Sequence, residues 1–247
     1  MNPSVMVLVK NESYFLPYVL KQVEGLFDSY VLYDVGSSDN TRDVIDWFSA
    51  RMDGKADLFV RKLPHVEPSV QGCFRNSMIA EGRRDVYWIL DGDELYTAED
   101  LAKIPDAANF LQECYEDDCV TPKIKRFGIF KRVEVNAELT KQYDKRRSHH
   151  RLYTRDAFWS GTHPGEVSGY KQNEKSEIWF DDITCWHLHN ALRSPKEADA
   201  TRRISRKMKK SYHPGELIKL DLLKELPILR KRIEDFPVSP ALEALWG

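Results

Sequence analysis

Val86-Tyr87-Trp88-Ile89-Leu90-Asp91-Gly92-Asp93-Glu94 is the stretch on which the fold turns. Its first five residues are β-branched, aromatic or aliphatic, the composition of a strand buried on both faces. The run then ends in three carboxylates within four residues. Placed where a buried strand meets solvent, these repel one another unless a positive charge sits among them. A divalent cation supplies it, since Mg2+ or Mn2+ prefers oxygen ligands and shares them with phosphates. Gly92 lets the backbone turn sharply or approach a ligand closely. The same residues also compose an ordinary turn, so the motif alone leaves both readings open.

Upstream, the chain alternates in a regular way. Val5 to Val9 is a continuous apolar run ended by Lys10-Asn11-Glu12-Ser13. Ser13 is placed to cap a helix over residues 14–27, with Pro17 in its first turn. Tyr30 to Asp34 is a second strand, closed by Val35-Gly36-Ser37-Ser38-Asp39-Asn40-Thr41, in which Asp39 or Thr41 can cap a helix over 42–51. Leu58 to Leu63 is a third strand, and a helix over 74–81 leads back to Val86. Strands alternating with helices predict a parallel sheet covered on both faces. Ligands bind such sheets beyond the carboxyl ends of the strands, where three of the four runs end in polar sequence. No dinucleotide fingerprint and no phosphate-binding GxxxxGK[ST] loop is present.

The second half is less regular. Residues 97–115 read as a helix broken at Pro105. The stretches 124–135, Arg151-Leu152-Tyr153, Ala157-Phe158-Trp159 and 178–189 read as strands of an antiparallel addition. From Pro195 onward the chain reads as helical. These shifts divide it into 1–192, with a nucleotide-binding half (1–95) and an acceptor half (96–192), and a C-terminal helical extension (193–247).

With 247 residues, 42% hydrophobic and 31% charged, the chain has the composition of a soluble globular protein. A net charge of −2 leaves any preference for nucleic acid or membrane to local clusters. Cys73, Cys114, Cys119 and Cys185 lack paired metal-ligand spacing and read as reduced thiols. No apolar run reaches the roughly 20 residues that span a bilayer. A cytoplasmic protein is expected, at most peripheral to the inner face of a membrane.

Four stretches taken together resemble the family 2 glycosyltransferases. They are Val9-Lys10-Asn11-Glu12, Asp34-Val35-Gly36-Ser37-Ser38-Asp39-Asn40-Thr41, Arg75-Asn76 and Leu90-Asp91-Gly92-Asp93-Glu94. They are similar to the family's KNE, D-x-G-S-[ST]-D-x-T, RN and D-x-D segments, in the same order. The resemblance implies the A-type glycosyltransferase fold, an α/β architecture with a Rossmann-like, mostly parallel sheet flanked by helices. It also implies a nucleoside-diphosphate sugar donor, a UDP-sugar being favoured, and Mn2+ or Mg2+. By the same resemblance Val9, Lys10, Asn11, Glu12 and Asp34 hold the nucleoside. Arg75 and Asn76 approach the base or diphosphate, Asp91 and Gly92 lie between ribose and metal, and Asp93 is the principal metal ligand. A second family aspartate is replaced here by Val35.

Inverting transfer also needs a base for the acceptor hydroxyl. Glu166 in Thr162-His163-Pro164-Gly165-Glu166 is the first candidate, His163 the second and Glu94 the third; Glu166 also suits a surface turn. In Ile183-Thr184-Cys185-Trp186-His187-Leu188-His189, a period of two places both histidines on one face, where one can complete the metal site. Arg193 is placed to reach the diphosphate. Lys141, Lys145, Arg146, Arg147 and Arg151 form one basic cluster, and Arg202, Arg203, Arg206, Lys207, Lys209 and Lys210 another. These are either solvated faces or the attraction for an anionic acceptor, nucleic acid included. Tyr143, Tyr153 and Trp159 are placed to stack on a sugar or base. The expected activity is metal-dependent transfer to a glycan, lipid-linked glycan or other anionic acceptor. The alternatives are glycosylation of modified DNA bases, as by phage enzymes, and a non-catalytic module binding glycan or nucleic acid.

Overall fold

A computed structural model describes residues 2–64, 70–117, 126–135, 139, 141–159, 167–168, 176–188, 191–195, 217–219, 222–234 and 236–247. Strands β1 (Ser4–Val9), β2 (Ser29–Val35), β3 (Asp57–Leu63) and β4 (Val86–Ile89) alternate with helices α1 (Leu16–Val23), α2 (Thr41–Met52) and α3 (Gln71–Gly82). All four strands run parallel. Val5, Val7, Tyr30, Leu32, Val86 and Trp88 face α1 and α2 on one side of the sheet. Met6, Val31, Tyr33 and Tyr87 face Met78 of α3 on the other. Apolar residues on both pleat faces are what a sheet covered on both sides requires.

After β4 come β5 (Glu94–Leu95), α4 (Ala98–Glu116), β6 (Phe127–Val135), β7 (Lys141–Thr154), β8 (Phe158–Trp159), β9 (Val167–Ser168), β10 (Glu177–His187) and β11 (Leu217–Lys219). The main sheet has the order β3-β2-β1-β4-β7-β6-β10-β5, with β11 beside β7; β8 and β9 pair separately. β7 is antiparallel to both β4 and β6, as the sequence predicts for this half. β10 departs from that expectation by running parallel to β6 while pairing antiparallel with β5. The mixed α/β class expected from the sequence is the class observed.

Several local expectations are revised. Ser13 does not cap α1, which starts at Leu16 behind Phe15 with no side-chain cap. Ser13 instead donates its backbone N–H to Asp39 Oδ2 at 3.2 Å. Asn40 is the N-cap of α2, again without a side-chain bond, while Asp39 Oδ1 accepts the N–H of Thr41, the first residue of the helix, at 3.0 Å. Pro105 does not break α4. Leu101, Ile104, Ala107, Ala108 and Leu111 are buried around it, and their burial outweighs the roughly 3 kcal/mol that an interior proline costs. The Thr97–Asp100 capping box starts this helix. In the last stretch, Leu217–Lys219 is a strand rather than helix. Short helical turns at Leu222–Glu225 and Pro227–Arg230 and a helix at Pro240–Trp246 follow. Leu222, Leu229 and Leu242 join the core of the first half. Cys73, Cys114 and Cys185 are free thiols, and Cys119 lies outside the described residues. Among the described residues no helix is long and apolar enough to cross a membrane.

Gln22 fixes the short strand β5. From α1 its Nε2 donates to Glu94 O at 2.9 Å, and its Oε1 accepts from Tyr96 N at 2.9 Å. Gln22→Met keeps the volume and strands two buried backbone groups, at about 1–3 kcal/mol each. Urea denaturation is expected to show this loss, and an unchanged midpoint would mean that β5 is held by other contacts.

Candidate active site

Two loops beyond the ends of β1 and β2 are laced into one surface. Asn11 is in the left-handed region at φ 54° and Gly36 at φ 88°, so both loops turn at once. Asn11 N donates to Ser37 Oγ at 2.9 Å, and Ser38 N donates to Asn11 Oδ1 at 2.8 Å. Glu12 N donates to Thr41 Oγ1 at 2.9 Å. Asp34 is wholly buried, taking Ser37 N at 3.0 Å and Arg42 Nε at 2.6 Å. Asp39 ties in a third segment by accepting from Ser194 Oγ at 2.5 Å. Burial pushes the Asp39 carboxyl up, but hydrogen bonds from Ser194, Thr41 and Ser13 outweigh it and hold it below the usual range. Tyr14 N donates to Arg193 O at 2.9 Å, bringing Arg193 over the loops.

The carboxylate turn packs directly against this surface. A Cβ on Gly92 would stand 2.9 Å from Glu12 Cγ and 2.9 Å from Val9 Cγ1. The glycine lets the turn pack closely on Val9 and Glu12. Three arginines from separate elements meet the turn. Arg151 of β7 contacts Asp91 Oδ2 at 2.9 Å and pairs with Glu94. Arg75 of α3 lies 3.4 Å from Asp91 Oδ1, its guanidinium 5.9 Å from the centroid of the Trp159 ring. Arg193 pairs with Glu12 and reaches Asp93 Oδ2 at 3.3 Å. Burial works against charge on Arg151, yet Asp91 and Glu94 outweigh it and hold the guanidinium protonated. Burial pushes the fully buried Glu94 carboxyl up to about 7 against the pull of Arg151, and Asp91 and Asp93 add to the push.

His187 enters from β10. Its Nε2 is 3.6 Å from Asp93 Oδ1, and its Nδ1 is 3.1 Å from Glu134 Oε2 on β6. Among the described residues no three His, Cys, Asp or Glu side chains converge as a complete metal site. Asp93 Oδ1 and His187 Nε2, 3.6 Å apart, are the two described side chains that could share one divalent ion. Asp91 stands next along the turn, engaged by Arg75 and Arg151.

The structure thus brings Val9, Asn11, Glu12, Asp34, Arg75, Asp91, Gly92, Asp93, His187 and Arg193 to one sheet edge, with Lys10 half-buried beside them. Asn76 is a structural residue. Its amide donates to Trp159 O at 3.0 Å and accepts from Trp159 N at 2.9 Å. His163, Glu166, His189 and the Arg202–Lys210 cluster lie outside the described residues, as do the side chains of Lys141, Tyr143, Lys145, Arg146 and Arg147. Tyr153 and Trp159 do not offer a stacking surface, because they are buried together in a small core with Ile89 and Phe127. Arg151 is a buried counter-charge rather than part of a basic patch. Arg42, Arg132 and Glu134 escaped the sequence reading. The one signal was Arg132 and Glu134 two residues apart on one face of the strand, opposite the face of Lys131.

The chain matches no family model and no curated protein. Among solved structures it is similar to TarS of S. aureus, at 18% identity over 93% of this chain and 42% of that one, with a TM-score of 0.50. It is likewise similar to TarS 1–349, at 16% identity over 93% and 70%, with a TM-score of 0.50. The same fragment in complex with UDP-GlcNAc matches at 17% identity over 93% and 71%, with a TM-score of 0.49. The chain spans less than half the length of TarS. At these identities the likeness establishes the fold. That fold is the A-type glycosyltransferase arrangement, a curled mixed sheet flanked by helices.

Glu94 gives the site a pH signature. Its carboxyl keeps a proton in the folded chain up to about pH 7 but loses it near 4.5 when unfolded. The folded state therefore binds more protons between these values, and the Glu94 contribution to stability declines as pH rises through that window. Glu94→Gln is expected to flatten this part of the curve. Parallel urea midpoints for wild type and variant across pH 4.5 to 7 would refute the assignment.

Proposed function

We propose that this chain is an inverting, metal-dependent glycosyltransferase that moves a sugar from a nucleoside-diphosphate donor, a UDP-sugar being favoured, to an acceptor hydroxyl. One observation carries the reading. The Asp91–Asp93 turn meets Arg75, Arg151 and Arg193 at the carboxyl edge of the parallel strands, where an α/β sheet binds its ligand. A nucleotide loop of Asn11, Glu12 and Asp34 lies on one side of that turn and His187 on the other.

The residues divide the work. Asp93 and His187 would hold Mn2+ or Mg2+, and Asp91 would face the ribose and the metal. When bound, the ion neutralises charge developing on the departing diphosphate. Arg75 has two buried guanidinium nitrogens, Nε and Nη1, without hydrogen-bond partners. Such groups are costly to bury unpaired, and diphosphate oxygens are suited to satisfy an arginine fork. Arg193 turns from Glu12 and Asp93 toward the same diphosphate. Arg151 remains with Asp91 and Glu94 and keeps the carboxylates from forcing the turn apart. Glu166 takes the acceptor proton, with His163 as the alternative base; buried Glu94 is set back beneath the turn. Residues 1–95 form the donor half, 96–192 the acceptor half and 193–247 the extension. The acceptor is a glycan, a lipid-linked glycan or another anionic molecule met in the cytoplasm or at a membrane's inner face.

A thermal-shift series with nucleotide sugars tests the donor, since a ligand that binds only the folded state raises its melting temperature by mass action. A shift is expected with Mn2+ and a UDP-sugar, reduced by chelator and by Asp93→Ala. No nucleotide sugar shifting the melting temperature would count against the proposal. Glu166→Gln is expected to retain the donor shift while lowering transfer at least a hundredfold, by the usual scale of general-base loss. Full transfer by this variant would remove Glu166 from the role.

A further inference from the structure

β3 is the terminal strand of the main sheet, and among the described residues no strand pairs with its outer edge. It pairs with β2 along its whole length from Asp57 to Leu63 without a bulge, so that edge is a regular row of backbone donors and acceptors. Asp57, Phe59 and Arg61 share one face by the period of two along a strand, the face of Val31 and Tyr33 beside α3. Phe59 is 42% exposed. A lone exposed phenylalanine is ordinary, but this one stands midway between an acid and a base. The Asp57 and Arg61 side chains are 87% and 52% exposed. Glu81 of α3 steadies Arg61 by accepting from its Nε at 2.7 Å, and Arg84 Nη2 stands 3.4 Å from Asp57 Oδ2. Lysine is a common guard of strand edges, but Lys62 is paired with Asp46 of α2 on the other face.

We propose that β3 is a self-pairing edge, through which two copies of this chain join as antiparallel strands about a two-fold axis at Phe59. The pairing does not depend on the proposed chemistry. Side chains directly opposite in an antiparallel pair lie on one face, so the axis passes through a residue rather than between two. Centred on Phe59, that ring meets its own copy, Leu58 meets Val60, and Asp57 meets Arg61 twice by symmetry. Charges then alternate along the seam from Arg84 to Asp57, to the partner's Arg61 and to the partner's Glu81. An axis at Leu58 would set Lys55 against Arg61, and one at Val60 would set Arg61 against Phe59. Opposite charges stabilise a cross-strand pair and like charges destabilise it, so the sequence selects the register centred on Phe59. Because the joined strands run antiparallel, the carboxyl sheet edges of the two copies face opposite ways.

Sedimentation velocity from micromolar to millimolar concentration tests the pairing. Wild type is expected to dimerise reversibly. Asp57→Arg alone and Arg61→Asp alone each turn both attractive charge pairs of the seam into repulsive ones. Each is expected to weaken the dimer about tenfold. An equimolar mixture of the two variants sets opposite charges together again and is expected to regain the affinity as a heterodimer. The double variant D57R/R61D is expected to regain it as a homodimer. Recovery in the mixture also shows that each single variant folds. Wild type that stays monomeric over the whole range overturns the proposal. So does a dimer that neither single change weakens, or one that the mixture fails to restore.

Discussion

Leu90 to Asp93 is all the chain that separates β4 from β5, yet three strands lie between them in the sheet. In a flat sheet that offset would be about 19 Å, at about 4.8 Å per strand. The five steps from Ile89 to Glu94 reach at most about 17 Å fully extended, and they are not extended. Glu94 N donates back to Asp91 O at 3.1 Å. The sheet must therefore curl until β10 and β5 come round to the end of β4, and Leu188 N closes onto Asp93 O at 2.8 Å. Every other feature of the site follows from this closure. It delivers Arg151 from β7, Glu134 from β6 and His187 from β10 to a turn that belongs to β4.

Closure also concentrates charge. Glu12, Asp91, Asp93 and Glu134 meet Arg75, Arg132, Arg151 and Arg193 around one imidazole. Removing one member of a buried pair leaves an uncompensated charge, at about 3–5 kcal/mol. A nearly balanced cluster is poised for exchange rather than inert. On the proposed function, an incoming diphosphate would offer the arginines new acceptors, and a cation would offer Asp93 and His187 a new partner.

The first half of the fold was legible because its signal is local. Buried parallel strands are unbroken apolar runs, and the loops after them are polar whatever the partner. Asp91, Asp93, Arg75 and Glu12 were legible for the same reason, standing at strand and helix ends in recognisable company. Arg151 was read as one more charge in a basic stretch, because its burial depends on pairing between β7 and β4 that no local pattern encodes. Glu134 was invisible in the same way, since its meaning comes from lying opposite His187, 53 residues further along the chain. Ser13 and Pro105 misled through propensity. A loop-to-loop bond to Asp39 and a buried helix face decided those positions instead.

The pairing of β5 with β10, joining Glu94 to His187, bears on how the chain assembles. Contacts between residues so distant in sequence form slowly, because loop closure must precede any stabilisation they bring. During synthesis the parallel half can pack while Arg151, His187 and Arg193 are still to be made. The carboxylates of the turn then spend that interval in water, where their mutual repulsion is screened. They are buried only when their arginines arrive. The centre of the molecule is thus among the last parts to become dry, and its chemistry waits on completion of the fold.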